Sequence, residues 1–107
     1  MVSGGQIESG IAQSDIASWA YAGTGIFAAD GPLTRLRAIA SLFPENVQLV
    51  VRADTSIRTL ADLKGKHISL GQMGSGTLAD SRIVLAASGL TEKDVTAEYL
   101  RPGAAAA

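Results

Sequence analysis

The chain alternates short apolar runs with turn-forming residues, and the spacing inside each run sets the element it is expected to form. Over Gln6 to Ala12, Ile7, Ser9 and Ile11 alternate with Glu8, Gly10 and Ala12, a period of two with small residues that predicts a buried strand. Ser14 or Asp15 then caps an expected helix whose Ile16, Trp19 and Ala20 share one face, with Gly23 as its stop. Thr24 to Pro32, rich in Gly and Ala and containing Asp-Gly-Pro, reads as a loop. Arg37 to Phe43 and Val47 to Arg52 are apolar runs expected as strands, divided by Pro44-Glu45-Asn46. In the second of them Val47, Leu49 and Val51 fall on one side, and Gln48, Val50 and Arg52 on the other.

After polar punctuation from Asp54 to Ile57, Thr59 caps one helical turn, Leu60-Ala61-Asp62-Leu63, that Gly65 ends. Lys66 to Leu70 predicts a strand, Gly71 to Thr77 a glycine-rich turn, and the following residues a helix with Ala79, Ile83, Ala86 and Leu90 on one face. Gly89 stops that helix. Thr91 and Asp94 have capping-box spacing, and Ala97 to Leu100 predicts the next strand. Strand, helix, strand in this order implies a parallel β-α-β crossover, so the fold class is α/β.

Composition narrows the function. Nine Lys plus Arg against ten Asp plus Glu give a net charge of −1, with no basic cluster to hold a phosphate backbone, so nucleic acid is not an expected partner. No apolar stretch approaches bilayer-spanning length, and the start lacks the charged and apolar regions of a signal peptide. Without cysteine, and with His67 as the one histidine, neither a thiol nucleophile nor a Cys/His metal site is expected. His67 alternates with Ile68 in a strand, without triad spacing, and is read as structural.

Candidate chemistry concentrates at strand ends. The turn at Gly74, Ser75, Gly76 and Thr77 leaves a strand and enters a helix whose first N–H groups lack intrahelical acceptors, a place suited to a carboxylate or phosphate. The same hydroxyls also suffice as a plain helix cap. A P-loop would need a lysine after Gly76, where Thr77 and Leu78 stand. The dinucleotide spacing G-x-G-x-x-A is met by Gly74 to Ala79, with Glu98 about twenty residues on but expected inside a strand and not at its end. Gln13 and Ser14, following the first expected strand, form a second candidate wall, and there too capping is the alternative. Arg52 could take a ligand carboxylate in a bidentate pair, or be solvated or ion-paired. Tyr21 is two residues from Trp19, so the two cannot share a helix face; Trp19 is assigned to packing and Tyr21 to a possible ligand contact.

These residues resemble a family. Gly10-Ile11-Ala12-Gln13-Ser14-Asp15, Trp19-Ala20-Tyr21-Ala22-Gly23-Thr24-Gly25 and Leu36-Arg37-Ala38-Ile39-Ala40-Ser41-Leu42 are similar to successive first-lobe blocks of TAXI-type receptors of TRAP transporters, two-lobed type II periplasmic binding proteins. Leu49-Val50-Val51-Arg52-Ala53-Asp54, Leu60-Ala61-Asp62-Leu63-Lys64-Gly65-Lys66 and Gly74-Ser75-Gly76-Thr77 resemble the family's interlobe strand, a turn shared across the superfamily, and the second-lobe ligand turn.

The resemblance implies a partial first lobe over residues 1–52, an interlobe strand near 47–52 and a partial second lobe over 53–107. It implies a periplasmic receptor, without catalysis or cofactor, that closes on a small organic acid such as glutamate and delivers it to TRAP membrane subunits. Family members are longer, so the chain is expected to be a fragment whose open strand edges self-associate. A nucleotide-binding enzyme fragment using Gly74 to Ala79, or a remnant that binds nothing, stands as the alternative.

Overall fold

A strand exists only where a second strand answers its N–H and C=O groups, and among the described residues that condition is met in one place. The computed structural model describes residues 1–106, and the chain divides into two compact units, Met1–Glu45 and Asn46–Ala107. In the second unit, β1 (His67–Ser69) pairs with β2 (Thr96–Glu98) in parallel, with His67 opposite Thr96, Ile68 opposite Ala97 and Ser69 opposite Glu98. The backbone bonding runs past both ends: Gly65 N–H donates to the Asp94 carbonyl at 2.7 Å and Leu70 N–H to the Glu98 carbonyl at 2.9 Å. Helix α2 (Gly76–Ala87) is the crossover, so the expected α/β class and parallel β-α-β unit are present.

Packing explains why this unit closes. Leu63, Leu70, Leu78, Leu85 and Leu90 form one buried cluster, against which Ile57, Ile68, Val95 and Ala97 pack. Ile68 and Ala97 are the middle residues of the two strands, and the residues flanking each are exposed, so the sheet has one covered face. The buried stripe of α2 is Leu78, Ala79 and Leu85; Ile83 and Ala86, expected to share it, are exposed. A two-stranded sheet is narrow, and a narrow stripe of helix is enough to cover it.

Both strands are introduced by a short 3-10 turn with a reciprocal cap. Thr59 precedes the turn Leu60–Leu63 and Thr91 precedes Glu92–Asp94, with Asp62 and Asp94 returning hydrogen bonds to the N-terminal backbone at 2.8 and 2.9 Å. The Thr-x-x-Asp spacing thus recurs before β1 and β2. A five-residue helix, α3 (Pro102–Ala106), ends the described chain.

The first unit is built around α1 (Ser14–Ala22). Its stop is Gly23, left-handed at φ 66°, as the pattern predicts. The chain then turns back, and Leu33 N–H donates to the Ala20 carbonyl at 2.8 Å. Ala20 is the buried residue of α1, while Ile16 and Trp19 beside it are half-buried.

Three expected strands are absent. Gln6–Ala12, Arg37–Phe43 and Val47–Arg52 carry no strand pairing; among the described residues that is confined to β1 and β2. Their apolar patterns are real, but no neighbouring strand is in place to complete a ladder.

Candidate functional site

The start of α2 is the best-formed polar site. Ser75 is its N-cap in extended conformation (φ −86°, ψ 155°), and its Oγ accepts from Leu78 N–H at 3.2 Å. The Ser75 carbonyl accepts from Ala79 N–H at 3.4 Å, while Ser75 N–H donates to the Gln72 carbonyl at 3.0 Å. Gly76 and Thr77, the first two helical residues, are left with N–H groups that have no acceptor inside the helix. Two adjacent N–H groups at the positive end of the helix dipole favour an anion.

Gly71 shapes the approach. It leaves β1 at φ 99°, and a Cβ there would lie 3.0 Å from Cβ and Cγ2 of Thr77 and 3.1 Å from Leu78 N. Only glycine lets strand and helix start come this close. Gly74 is also left-handed, at φ 77°, with open space where a side chain would be. Met73, within the turn, is exposed.

Arg52 also lies in the second unit. It is outside any strand, and its guanidinium is already engaged: Nε and Nη2 donate to the two Asp54 carboxylate oxygens at 3.0 and 2.9 Å. The ion-paired alternative is the one observed. Arg52 opens a turn, its carbonyl accepting from Thr55 N–H at 3.2 Å, and within that turn the Asp54 carboxylate reaches the guanidinium.

The remaining candidates belong to the first unit. Gln13, with φ −62° and ψ 149°, is the N-cap of α1, one residue before the expected Ser14 or Asp15. No side chain caps this helix; the Ile16 N–H donates to Asp15 Oδ1 at 2.8 Å, and Ser14 is exposed in the first turn. Tyr21 is exposed. Trp19 is structural: a Cβ on Gly25 would stand 2.7 Å from its ring.

A second concavity opens beside the C-terminal half of α2, about 400 Å³ in volume and lined by Leu85, Ala86, Leu90 and Lys93 among others. At its rim Arg82 Nε donates to Glu92 Oε1 at 2.7 Å, so one of its two cations is ion-paired. The floor is apolar and mostly core leucine, so the start of α2 remains the stronger place for an anion. Among the described residues no cluster of His, Asp or Glu could hold a metal, and no helix is long and apolar enough to cross a membrane.

A helix start at the carboxyl edge of the strands is where open α/β sheets place their ligands. The model of the NMT1-like family matches residues 1–107, and the chain belongs to that family. The family is of the periplasmic-binding type: it binds a small solute, is not enzymatic, and goes with a periplasmic or extracellular location. No solved structure matches the chain.

Proposed function

We propose that this solute-binding chain captures a small carboxylate, glutamate or a related organic acid, as the periplasmic receptor of a TAXI-type TRAP transporter. The observation that carries the ligand class is the pair of N–H groups at Gly76 and Thr77, which can hold one carboxylate without a cationic side chain. The transporter assignment and the TRAP membrane subunits as partners rest on the resemblance of the six sequence blocks. Residues 1–52 and 53–107 are assigned to two lobes, with Gln13, Ser14 and Tyr21 as ligand contacts of the first and Gly74 to Thr77 of the second. Arg52 joins them only by exchanging Asp54 for the ligand, an exchange its exposure permits.

Gly76→Pro is a clean test. Proline suits the first helical position, and the extended Ser75 before it is compatible with a following proline, so α2 is kept while one of the two N–H groups is removed. Calorimetry with glutamate and related acids should show binding that weakens by about 10- to 100-fold, the worth of one hydrogen bond to a charged acceptor. Unchanged affinity would move the ligand elsewhere.

A second reading has one observation in its favour. Glu98 is the last residue of β2, not inside the strand as the sequence suggested, and that is where the dinucleotide fingerprint needs an acid. NAD or ATP binding that is lost in Gly76→Val would support a nucleotide-binding enzyme fragment in place of an acid receptor.

A further inference from the structure

The concavity beside the C-terminal half of α2, about 400 Å³ in volume, falls inside the roughly 300–1,000 Å³ of small-molecule pockets. It lies entirely in the second unit, about 15 Å along α2 from the helix start at Gly76. Leu85 and Leu90 close its floor as members of the leucine cluster, and Ala86 is open to solvent. Its charges are unevenly matched. Arg82 and Glu92 cancel one another in their ion pair, whereas no hydrogen bond or ion pair among the described residues engages the Lys93 ammonium. The last carbonyls of α2 are answered from within the chain: Leu85 accepts from Leu90 N–H at 2.9 Å, Ala86 from Gly89 N–H at 3.0 Å and Val84 from Ser88 Oγ at 2.8 Å. The negative end of the helix is thereby partly quenched. An apolar floor and one uncommitted positive charge are left.

We propose that this concavity binds a small aliphatic monocarboxylate, its tail over Ala86 and the two leucines and its carboxylate on Lys93. The choice of occupant follows from charge complementarity. A neutral hydrocarbon would leave the ammonium unused, an amine would be set against it, and a dicarboxylate would bring a second charge onto the apolar floor. Glu92 does not repel the ligand, because Arg82 holds its carboxylate at 2.7 Å. The site differs in kind from the start of α2, where two N–H groups suit a carboxylate whatever it is attached to. Lys93 and Ala86 are exposed, so binding is weak: a methylene laid on the floor tightens it by about fourfold at most, and an exposed ion pair by about two- to fivefold.

Titration of the isotope-labelled chain with hexanoate, hexanamide and butyrate, followed through amide NMR shifts, tests this. Hexanoate should move the amides of Leu85, Ala86, Leu90 and Lys93, and should bind about two- to fivefold more tightly than hexanamide and about four- to tenfold more tightly than butyrate. Lys93→Gln should remove the advantage over hexanamide while leaving hexanamide itself unchanged; the cap made by Thr91 and Asp94 does not use the Lys93 side chain, so the turn is kept. Ala86→Glu, at an exposed helical position, should weaken hexanoate more than hexanamide. Gly76→Pro should leave all of these effects in place, so a failure here and a failure of carboxylate capture at the start of α2 are read separately. Shifts confined to Gly76 and Thr77, equal binding of hexanoate and hexanamide, or an undiminished preference for hexanoate in Lys93→Gln would each overturn the proposal.

Discussion

The two units contain similar apolar patterns and make different use of them. In Asn46–Ala107 five leucines close into a core beneath a paired sheet. In Met1–Glu45 a single helix with one buried alanine is held by a returning loop, and the alternating runs on either side stay unpaired. The difference lies in where each strand finds its neighbour. β1 and β2 are joined by one helix and a capped turn, so the second strand is delivered beside the first by a local crossover. The runs at Gln6–Ala12 and Arg37–Phe43 have no such delivery within their unit.

The largest test of this contrast is to remove equal amounts of apolar side chain from each region. Leu85→Ala deletes a side chain that is 2% exposed at the centre of the cluster and should cost about 2–5 kcal/mol. Leu42→Ala removes the same atoms from a residue 64% exposed, with an expected change within about 0.5 kcal/mol. Urea midpoints followed by far-ultraviolet circular dichroism measure both. Comparable losses would mean that Leu42 is packed in solution and that the contrast between the units is false.

The same contrast explains what was legible in the sequence. Local signals were read correctly: Gly23 as a stop, Thr59 and Thr91 as caps, and the strand, turn and helix from Lys66 onward, because each is decided by residues a few positions apart. Ser75 as hydroxyl cap and the open helix start beyond it were legible for the same reason. Alternation at Gln6 and Val47 and the apolar run at Arg37 were over-read, since such patterns fix which residues a strand would present but supply no partner. Ile83 was misplaced because helical period alone cannot say how wide a face the sheet will cover. For Arg52 the sequence left a ligand carboxylate and an ion pair open, and the carboxylate it holds is Asp54, two residues away.

A smaller effect is expected from two glycines that perform one task in different settings. Gly71→Ala places a methyl against Thr77 at a left-handed position and should cost about 1–3 kcal/mol, with anion binding at α2 weakened as Thr77 is displaced. Gly25→Ala, at φ 53°, drives a methyl into the Trp19 ring. Trp19 is the one tryptophan, so its emission should shift on this substitution while the amide protection of β1 and β2 is unchanged. If Gly25→Ala also lowers that protection, the sheet depends on the first unit and the two regions are not separable in the way the comparison assumes.

The smallest expected effect is acid sensitivity confined to the second unit. Asp62 is held below its ordinary pKa of 3.8, chiefly by the Arg58 backbone N–H and then by the backbone and hydroxyl of Thr59. Asp94 is lowered in the same way, first by the Thr91 hydroxyl and then by its N–H. A carboxylate whose folded pKa is depressed contributes stability above its unfolded pKa and loses that contribution as pH falls through the folded value. Amide exchange at β1 and β2 should therefore quicken as pH drops below about 4, after correction for intrinsic rates. Both groups are exposed, so the change is modest. Thr59→Ala and Thr91→Ala together remove the hydroxyl bonds and should flatten this pH dependence, because the aspartates then titrate nearer their unfolded values. The emission of Trp19, in a unit whose helix has no side-chain cap, should not follow the same curve.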